Sequence, residues 1–223
     1  MMKKREPTAA GMAMRTAVIL FVFVIVFTAV LSAAYLWTKP ALEASAAEEK
    51  MKLVSEVLPR DSYDNDLLKD TVTVPANALL GTDEPTIAYR ARKGGEPSAL
   101  VIEAVAPDGY AGRIRLVIAV RSDGSIAGVR VTQHKETPGL GDYIEPKKDK
   151  NKERPWIRQF DGLRYVDITD KDWKLRKDGG RFDFIAGATV TPRAVVKAVR
   201  KATQFVAENH EQLYASTPQG APK

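Results

Sequence analysis

The feature that most constrains this chain is an uncharged stretch near its start. Thr16–Thr38 reads TAVILFVFVIVFTAVLSAAYLWT and contains no Asp, Glu, Lys or Arg. As a helix, these residues span roughly 35 Å at about 1.5 Å per residue, enough to cross a hydrocarbon core of about 30 Å. Tyr35 and Trp37 stand at the far end, where aromatic rings favour the membrane interface. The sequence therefore predicts a transmembrane helix over residues 16–38.

The charges that flank this span predict its orientation. Residues 1–15 carry four basic side chains against a single acidic one. The positive-inside rule therefore places residues 1–15 in the cytoplasm and everything after Lys39 outside. A cleaved signal peptide is the alternative, because Ser32-Ala33-Ala34 offers small residues for a cut. The apolar regions of signal peptides run to only about 7–15 residues, so a retained anchor is the preferred interpretation.

Composition excludes several classes of function. The 223 residues contain no cysteine, which rules out a disulfide scaffold, iron–sulfur ligation and a thiolate nucleophile. The two histidines, His134 and His210, are too few for a His-rich metal site. Of the net charge of +6, residues 1–15 supply +3, and no basic stripe interleaved with aromatics follows, so nucleic acid is not an expected partner. A chain of this composition that handles electrons needs a non-metal cofactor.

The remaining chain is predicted to form a helical tether over residues 39–70, a domain over 71–210 and a flexible tail over 211–223. Residues 40–58 have helical periodicity, and Pro59 ends that helix. Alternating apolar residues then predict strands at the ranges Thr86–Arg92, Ala99–Val105, Arg113–Val120 and Ile126–Gln133. A final amphipathic helix follows, with Thr191 as its N-cap and Pro192 in its first position. The predicted fold is α+β, with an antiparallel sheet and a C-terminal helix.

Two further segments lie between the last strand and the last helix. Trp173–Arg176 and Arg181–Ile185 flank Asp178-Gly179-Gly180 and are predicted to form another hairpin. Glu145–Pro155 is a polar stretch with five basic and three acidic residues. A solvated loop is the preferred interpretation of that stretch, and a docking surface for a partner subunit is the alternative.

The first candidate functional motif is Ile185-Ala186-Gly187-Ala188-Thr189-Val190-Thr191. Its small residues let the backbone approach a ligand closely. The helix that follows directs unsatisfied N–H groups and a partial positive charge toward Thr189. A phosphate held at Thr189 would therefore occupy the position where helix N-termini favour anions. By spacing alone the motif is weak, because most small residues before a capped helix are plain connections.

The second candidate motif is the segment HKETPGLGD, residues 134–142, which directly follows a strand. Thr137-Pro138-Gly139 fits a type II turn, in which proline presets the first central residue and glycine takes positive φ at the second. Loops at strand ends commonly hold binding residues on a rigid scaffold. The segment is either a structural turn or part of a binding site.

Together these residues carry a family resemblance. The apolar anchor, Asp108-Gly109-Tyr110, HKETPGLGD, the Trp156–Phe160 segment WIRQF and DGGRFDFIAGATVTPRAVVKAV strongly resemble the RnfG (RsxG) family. These proteins are the G subunits of bacterial Rnf-type ion-translocating electron transport complexes. The likeness extends from the anchor to about residue 208. The C subunit of sodium-pumping NADH:quinone reductase shares the Gly-Ala-Thr chemistry, but the long H-x-E-T-P-G-L-G run favours the Rnf family.

The resemblance implies covalent FMN. In this family, the threonine that ends the motif Asp-x-x-Ser/Thr-Gly-Ala-Thr carries FMN through a phosphoester. The pattern here runs from Asp183 through Gly187 and Ala188 to Thr189, which is the implied attachment residue. Ala186 stands where the family usually has serine or threonine, which puts the efficiency of modification in question. Thr191 is the rival acceptor, although a capping role would occupy its hydroxyl.

The implied isoalloxazine contacts come from the second motif. We expect the Glu136–Gly141 loop to lie against the ring, with the backbone of Gly139 and Gly141 approaching it and Leu140 supplying an apolar wall. The loop's Thr137 belongs to the same predicted cofactor-binding set. His134 either hydrogen-bonds a flavin edge or fixes the loop.

The resemblance also implies partners and a location. A threonine hydroxyl is a weak nucleophile that needs activation, and attack on a pyrophosphate needs cations. This chemistry supports a separate modifying enzyme, and the resemblance implies that it is an ApbE-type flavin transferase, which uses FAD and magnesium. The other expected partners are the remaining subunits of an Rnf-type complex coupling ferredoxin/NAD redox chemistry to ion transport. The expected location is the cell inner membrane, with a periplasmic domain. The competing interpretation is a membrane-anchored binding or assembly module without redox chemistry.

Overall fold

The computed structural model describes residues 9–215, with side chains described at 9–40, 48 and 51–215. The chain divides into two compact units, Met1–Glu49 and Lys50–Lys223. The predicted cytoplasmic residues before Ala9 and the predicted tail beyond Ala215 lie outside the described residues.

The N-terminal unit contains a helix long and apolar enough to cross a membrane. Helix α1 runs over Ala9–Val57, and its Ala9–Pro40 portion has a mean hydropathy of 2.9 in its most apolar window. None of that window is buried against other parts of the chain, which excludes the core helix of a globular domain. The predicted transmembrane and tether helices are therefore segments of one continuous helix, which ends at Val57, two residues before Pro59.

The second unit is built on a five-stranded antiparallel sheet whose spatial order follows the sequence. The strands are β1 (Thr71–Val74), β2 (Thr86–Lys93), β3 (Glu96–Gly109), β4 (Gly112–Arg121) and β5 (Ile126–Gln133). Each connection is short enough for antiparallel neighbours, and the period-two apolar pattern predicted all four longer strands. The α+β fold class is confirmed.

Helix α2, Val190–Ala215, packs on one face of the sheet. Alternation in β4 directs Ile114, Leu116 and Ile118 to the core that this helix covers. The helix contributes its apolar stripe to the same core, with Val195, Val199, Ala202 and Val206 all buried. This packing holds the N-terminus of α2 in a fixed place at one edge of the domain.

Residues 50–70, predicted as a tether, belong to the domain instead. They cover the opposite face of the sheet, where Val117 and Ala119 of β4 point. Their apolar side chains are almost fully buried there: Val54, Val57, Leu58, Tyr63 and Leu67. A sheet with apolar residues on both faces needs cover on both, so this segment completes the core.

Two further predictions differ from the structure. The helix α2 continues through Ala215 in place of a flexible tail from residue 211, because Leu213 is buried and its carbonyl accepts a hydrogen bond from the buried Arg90 (3.3 Å). The predicted hairpin over 173–185 is wrong. That stretch has a 3-10 turn and a single parallel bridge between Leu175 and Phe182, because Trp173, Leu175 and Phe182 all turn into one aromatic core.

Candidate functional site

A tight turn presents Thr189 at the start of α2. The amide of Ala188 donates to the carbonyl of Ile185 at 3.0 Å, which closes the turn. Gly187 has φ of 86°, a left-handed conformation that favours glycine. Ala186 and Gly187 are exposed, Ala188 is buried and Thr189 is half-buried. The side chain of Thr189 is thus partly accessible, on a backbone that small residues allow to turn sharply.

Helix α2 begins two residues earlier than the capping prediction requires. Its first helical residue is Val190, so Thr189 rather than Thr191 flanks the helix, and the Thr189 carbonyl accepts from the amide of Arg193 at 3.4 Å. Pro192 consequently stands third in the helix rather than first. A proline is tolerated there because amides of the first turn have no intrahelical acceptor to lose. The N-cap prediction for Thr191 is therefore wrong, and the positive end of α2 points at Thr189.

Thr191 is held inside the domain by the second motif. Its hydroxyl donates a hydrogen bond to Oε2 of Glu136, and both residues are almost fully buried, at 2% and 4% exposure. The other carboxylate oxygen of Glu136 accepts from the amide of Ala111 at 3.0 Å. Glu136 therefore ties the start of α2 to the turn between β3 and β4. Of the two candidate threonines, only Thr189 has a partly accessible side chain.

The ring of His134 forms hydrogen bonds through both of its nitrogens. Its Nδ1 accepts from the amide of Glu136 at 2.9 Å, and its Nε2 lies 2.6 Å from Oε1 of Glu145. Because Nδ1 accepts, Nε2 carries the proton and donates to the carboxylate. Both ring nitrogens are thus engaged in hydrogen bonds, one with the backbone of Glu136 and one with the side chain of Glu145.

The predicted turn in HKETPGLGD is present. The amide of Leu140 donates to the carbonyl of Thr137 at 3.1 Å, and Gly139 has φ of 76°. Asp142 holds the turn by accepting from the amide of Gly139 at 2.8 Å. Gly141 then passes so close to α2 that an added Cβ would lie 2.8 Å from Oε2 of Glu136 and 2.9 Å from Oγ1 of Thr191. The two motifs that the sequence separates by more than 40 residues are thus packed together.

Three exposed apolar side chains belong to these two motifs. Leu140 is 49% exposed, Ile185 40% and Val190 42%. Leu140 directly precedes Gly141, and Val190 directly precedes Thr191, and these two following residues lie close to each other. Apolar surface next to an accessible helix N-terminus suits a ligand with a flat apolar ring and an anionic group.

Asp183 is held by residues that the sequence analysis did not single out individually. Its carbonyl accepts from Nε1 of Trp156 at 2.7 Å, and its amide donates to Oε1 of Gln159 at 2.8 Å. Its carboxylate pairs with the guanidinium of Arg176 at 3.0 Å, on the protein surface. Trp156 and Gln159 thereby position the strand of chain that leads to Thr189. The WIRQF segment contributes to the family resemblance, but its own sequence does not indicate that Trp156 and Gln159 contact Asp183.

A cleft with a volume of about 820 Å³ is lined in part by the segment that leads to Thr189. Its lining includes residues 183–185 and residues 149–151 and 153–156. Tyr143 also lines it and donates through its hydroxyl to the carbonyl of Ala188 at 3.3 Å. Burial raises the pKa of Tyr143 to about 12, so the phenol remains a donor at neutral pH. The cleft lining does not include the Glu136–Gly141 loop.

The stretch 145–155 is more ordered than the preferred prediction of a solvated loop. Asp149 is 6% exposed and accepts from the amides of Trp156 at 2.6 Å and Asn151 at 2.9 Å. A buried carboxylate with two N–H donors holds this loop against the domain. The stretch is therefore a defined wall of the cleft.

Comparison with known proteins matches the part of the chain that contains both motifs. The family model described as FMN-binding domain matches residues 109–204, which include both motifs. A protein of Pseudomonas aeruginosa is 44% identical over 202 residues, covering 91% of this chain and 92% of that protein. Proteins of Vibrio atlanticus (40% over 201 residues, 90% and 93%) and Pseudoalteromonas atlantica (38% over 203 residues, 91% and 92%) are also similar. All three relatives are named as the G subunit of an ion-translocating oxidoreductase complex.

Proposed function

Because this chain belongs to the family of G subunits of ion-translocating oxidoreductase complexes, we propose that it carries electrons through FMN attached covalently to Thr189 by a phosphoester. The complex in this proposal is of the Rnf type and couples ferredoxin/NAD electron transfer to ion translocation. The observation that carries the proposal is the contrast between two threonines. Thr189 is partly accessible at the helix N-terminus, whereas the hydroxyl of Thr191 is buried on Glu136.

The residues around Thr189 suit the phosphate of FMN. The first amides of α2 have no intrahelical acceptors and lie next to Thr189, so an ester phosphate there gains donors and the favourable end of the helix dipole. Gly187 and Ala188 keep bulky side chains away from the turn. Asp183, held by Trp156 and Gln159, fixes the chain that enters this turn.

The ring of the flavin fits the apolar surface of the two motifs. In the proposal, Leu140 packs against the ring, and the backbone of Gly139 and Gly141 approaches it. The exposure of Leu140, Ile185 and Val190 supports this placement, because a bound ring would remove that apolar surface from water. When bound, FMN supplies the redox chemistry, and the residues of the chain position it and limit its contact with water.

An ApbE-type flavin transferase attaches the cofactor in this proposal. The hydroxyl of Thr189 has no neighbouring base in the hydrogen bonds of the described residues, and an unactivated hydroxyl is a weak nucleophile. Its partial exposure at the domain surface leaves it reachable by a separate enzyme. Covalent attachment retains the cofactor outside the cytoplasm, where a dissociated flavin would be lost.

The proposed location is the inner membrane, crossed once by the apolar portion of α1. The excess of basic residues before the span supports a cytoplasmic N-terminus and a periplasmic domain. The apolar span with no buried side chains supports a retained anchor.

The test is to co-express the full-length protein with the transferase and inspect the denatured band for flavin fluorescence. We expect a fluorescent band and a flavin-bearing peptide that contains Thr189. Thr189→Ala should abolish the fluorescence, whereas Thr191→Ala, which removes the rival acceptor, should retain it. A dark wild-type band with the intact mass of the bare polypeptide would instead support a binding or assembly module without redox chemistry.

A further inference from the structure

The segment Lys147–Arg158 concentrates cations that form no ion pair with the residues that the structure describes. Elsewhere in the domain several basic side chains are paired, as Arg193 is with Asp178 and Lys197 with Asp108, both at 2.6 Å. Within this segment no basic side chain forms an ion pair with any described residue; the six are Lys147, Lys148, Lys150, Lys152, Arg154 and Arg158. Their charge is therefore available to something outside this unit.

The acidic residues of the segment do not balance this charge. There are two of them against six cations, which leaves a net charge of 6 − 2 = +4. Asp149 is buried and occupied by the amides of Asn151 and Trp156. Glu153 is exposed and forms no ion pair among the described residues. The segment is thus a strongly positive surface on a backbone that Asp149 holds in place, so little ordering is needed before it binds.

Three of these six cations line the cleft beside the proposed flavin site. Lys150, Arg154 and Arg158 line it together with the carboxylates of Asp149, Glu153 and Asp183. Asp149 is occupied by two backbone amides and Asp183 pairs with Arg176 at 3.0 Å, so Glu153 is the carboxylate left to offset the three cations. Ile185, only four residues before Thr189, is 40% exposed. The surface therefore combines positive charge, a concave shape and an apolar edge next to the motif that carries Thr189.

We propose that the cleft and its cationic rim are the docking site for an acidic surface of another subunit of the same complex. Complementary charge accelerates association and orients two proteins, which suits subunits that must approach each other closely. A concave cleft with one apolar wall fits a protruding acidic protein segment better than the flat headgroup surface of a membrane. Its position beside the flavin rests on the proposed function, whereas the docking itself does not.

The test uses the purified, assembled complex and a water-soluble carbodiimide, which joins lysine amines directly to carboxylates that touch them. We expect peptides in which a lysine of 147–152 is linked to an Asp or Glu of another subunit. Raising the salt from about 50 mM to about 500 mM, which shortens the screening length severalfold, should reduce their yield severalfold. The double variant Lys150→Glu/Arg154→Glu should reduce the links formed by Lys147 and Lys148 by a similar factor.

The matched control is Lys171→Glu/Lys174→Glu, which reverses two exposed cations elsewhere on the domain and should leave the yield unchanged. The proposal is overturned if lysines 147–152 form no links to another subunit while lysines elsewhere in the same sample do. It is equally overturned if those lysines form no such links and are instead shielded from acetylation by vesicles containing phosphatidylglycerol. Flavin fluorescence of the same gel band reports on Thr189 separately, so the two proposals can fail independently.

Discussion

The hydroxyl of Thr191 donates a hydrogen bond to the buried carboxylate of Glu136, 55 positions earlier in the chain. This contact joins the first turn of α2 to the loop that follows β5, and Glu136 extends it to the amide of Ala111. The carboxylate therefore holds three segments together next to the partly accessible Thr189. Its removal would leave the buried hydroxyl of Thr191 without an acceptor, whereas the amide of the exposed Ala111 could bond to water.

Glu136→Ala should lower the free energy of unfolding of the domain by about 1–3 kcal/mol, because the buried hydroxyl of Thr191 would be left without an acceptor. Glu136→Gln should lose less, because its amide oxygen can still accept from Ala111. Chemical denaturation of the full-length protein in detergent, followed by tryptophan fluorescence, measures both. Equal losses for the two variants would contradict this explanation and would mean that the negative charge of the carboxylate, which both variants lack, decides the stability at this position.

Gly141→Ala should destabilise the domain by about 1–3 kcal/mol through overpacking, because the new methyl group would meet Glu136 and Thr191 below 3.0 Å. Gly139→Ala should cost about 1–2 kcal/mol for a different reason, since nothing lies within 4 Å but φ is 76°. A double-mutant cycle with Glu136→Ala separates the two causes. The cost of Gly141→Ala should shrink in that background, and the cost of Gly139→Ala should not.

Ala186→Ser should raise the fraction of protein that carries flavin when the transferase is limiting. The residue is exposed in the turn before Thr189, where an added hydroxyl has room to hydrogen-bond the phosphate or the modifying enzyme. The measurement is the ratio of flavin absorbance to protein after short co-expression. Ala186→Val, which adds bulk without a hydroxyl, is the control. A gain from valine as large as that from serine would refute the hydrogen-bonding explanation.

Tyr143 should contribute to a loss of stability at alkaline pH. Burial raises its pKa in the folded protein to about 12, above the ordinary value of 10.0, so the folded state favours the protonated phenol. That contribution is complete below pH about 10 and is lost as the pH rises through about 12. Tyr143→Phe, which cannot ionise, should show a shallower decline of stability over this interval. Unfolding midpoints at a series of pH values compare the two, and parallel curves would contradict the assignment.

Local patterns accounted for much of the fold. The four longer strands follow from period-two alternation, and the type II turn at Thr137–Leu140 follows from proline before glycine. For residues 173–185 the same pattern led to a wrong prediction. Its alternating apolar residues read as a hairpin, yet they serve a single aromatic core around Phe182, which decides the path of the backbone.

The candidate site divides in the same way. The resemblance to a known family indicated Thr189, and its Gly-Ala neighbours could be read directly. The buried state of Thr191 could not, because it depends on Glu136, and neither could the support of Asp183 by Trp156 and Gln159. Each of these contacts joins residues more than 20 positions apart.

The sequence by itself determined the apolar span, the order of the strands, the turn at Gly139 and the amphipathic final helix, because each depends on interactions among neighbouring residues. Tertiary structure alone decided that residues 50–70 close the second face of the sheet, that Thr191 is withdrawn while Thr189 stays accessible, and that a basic loop forms one wall of a cleft. These features depend on packing and hydrogen bonds between segments that are far apart in the sequence. Short-range sequence patterns do not specify such contacts.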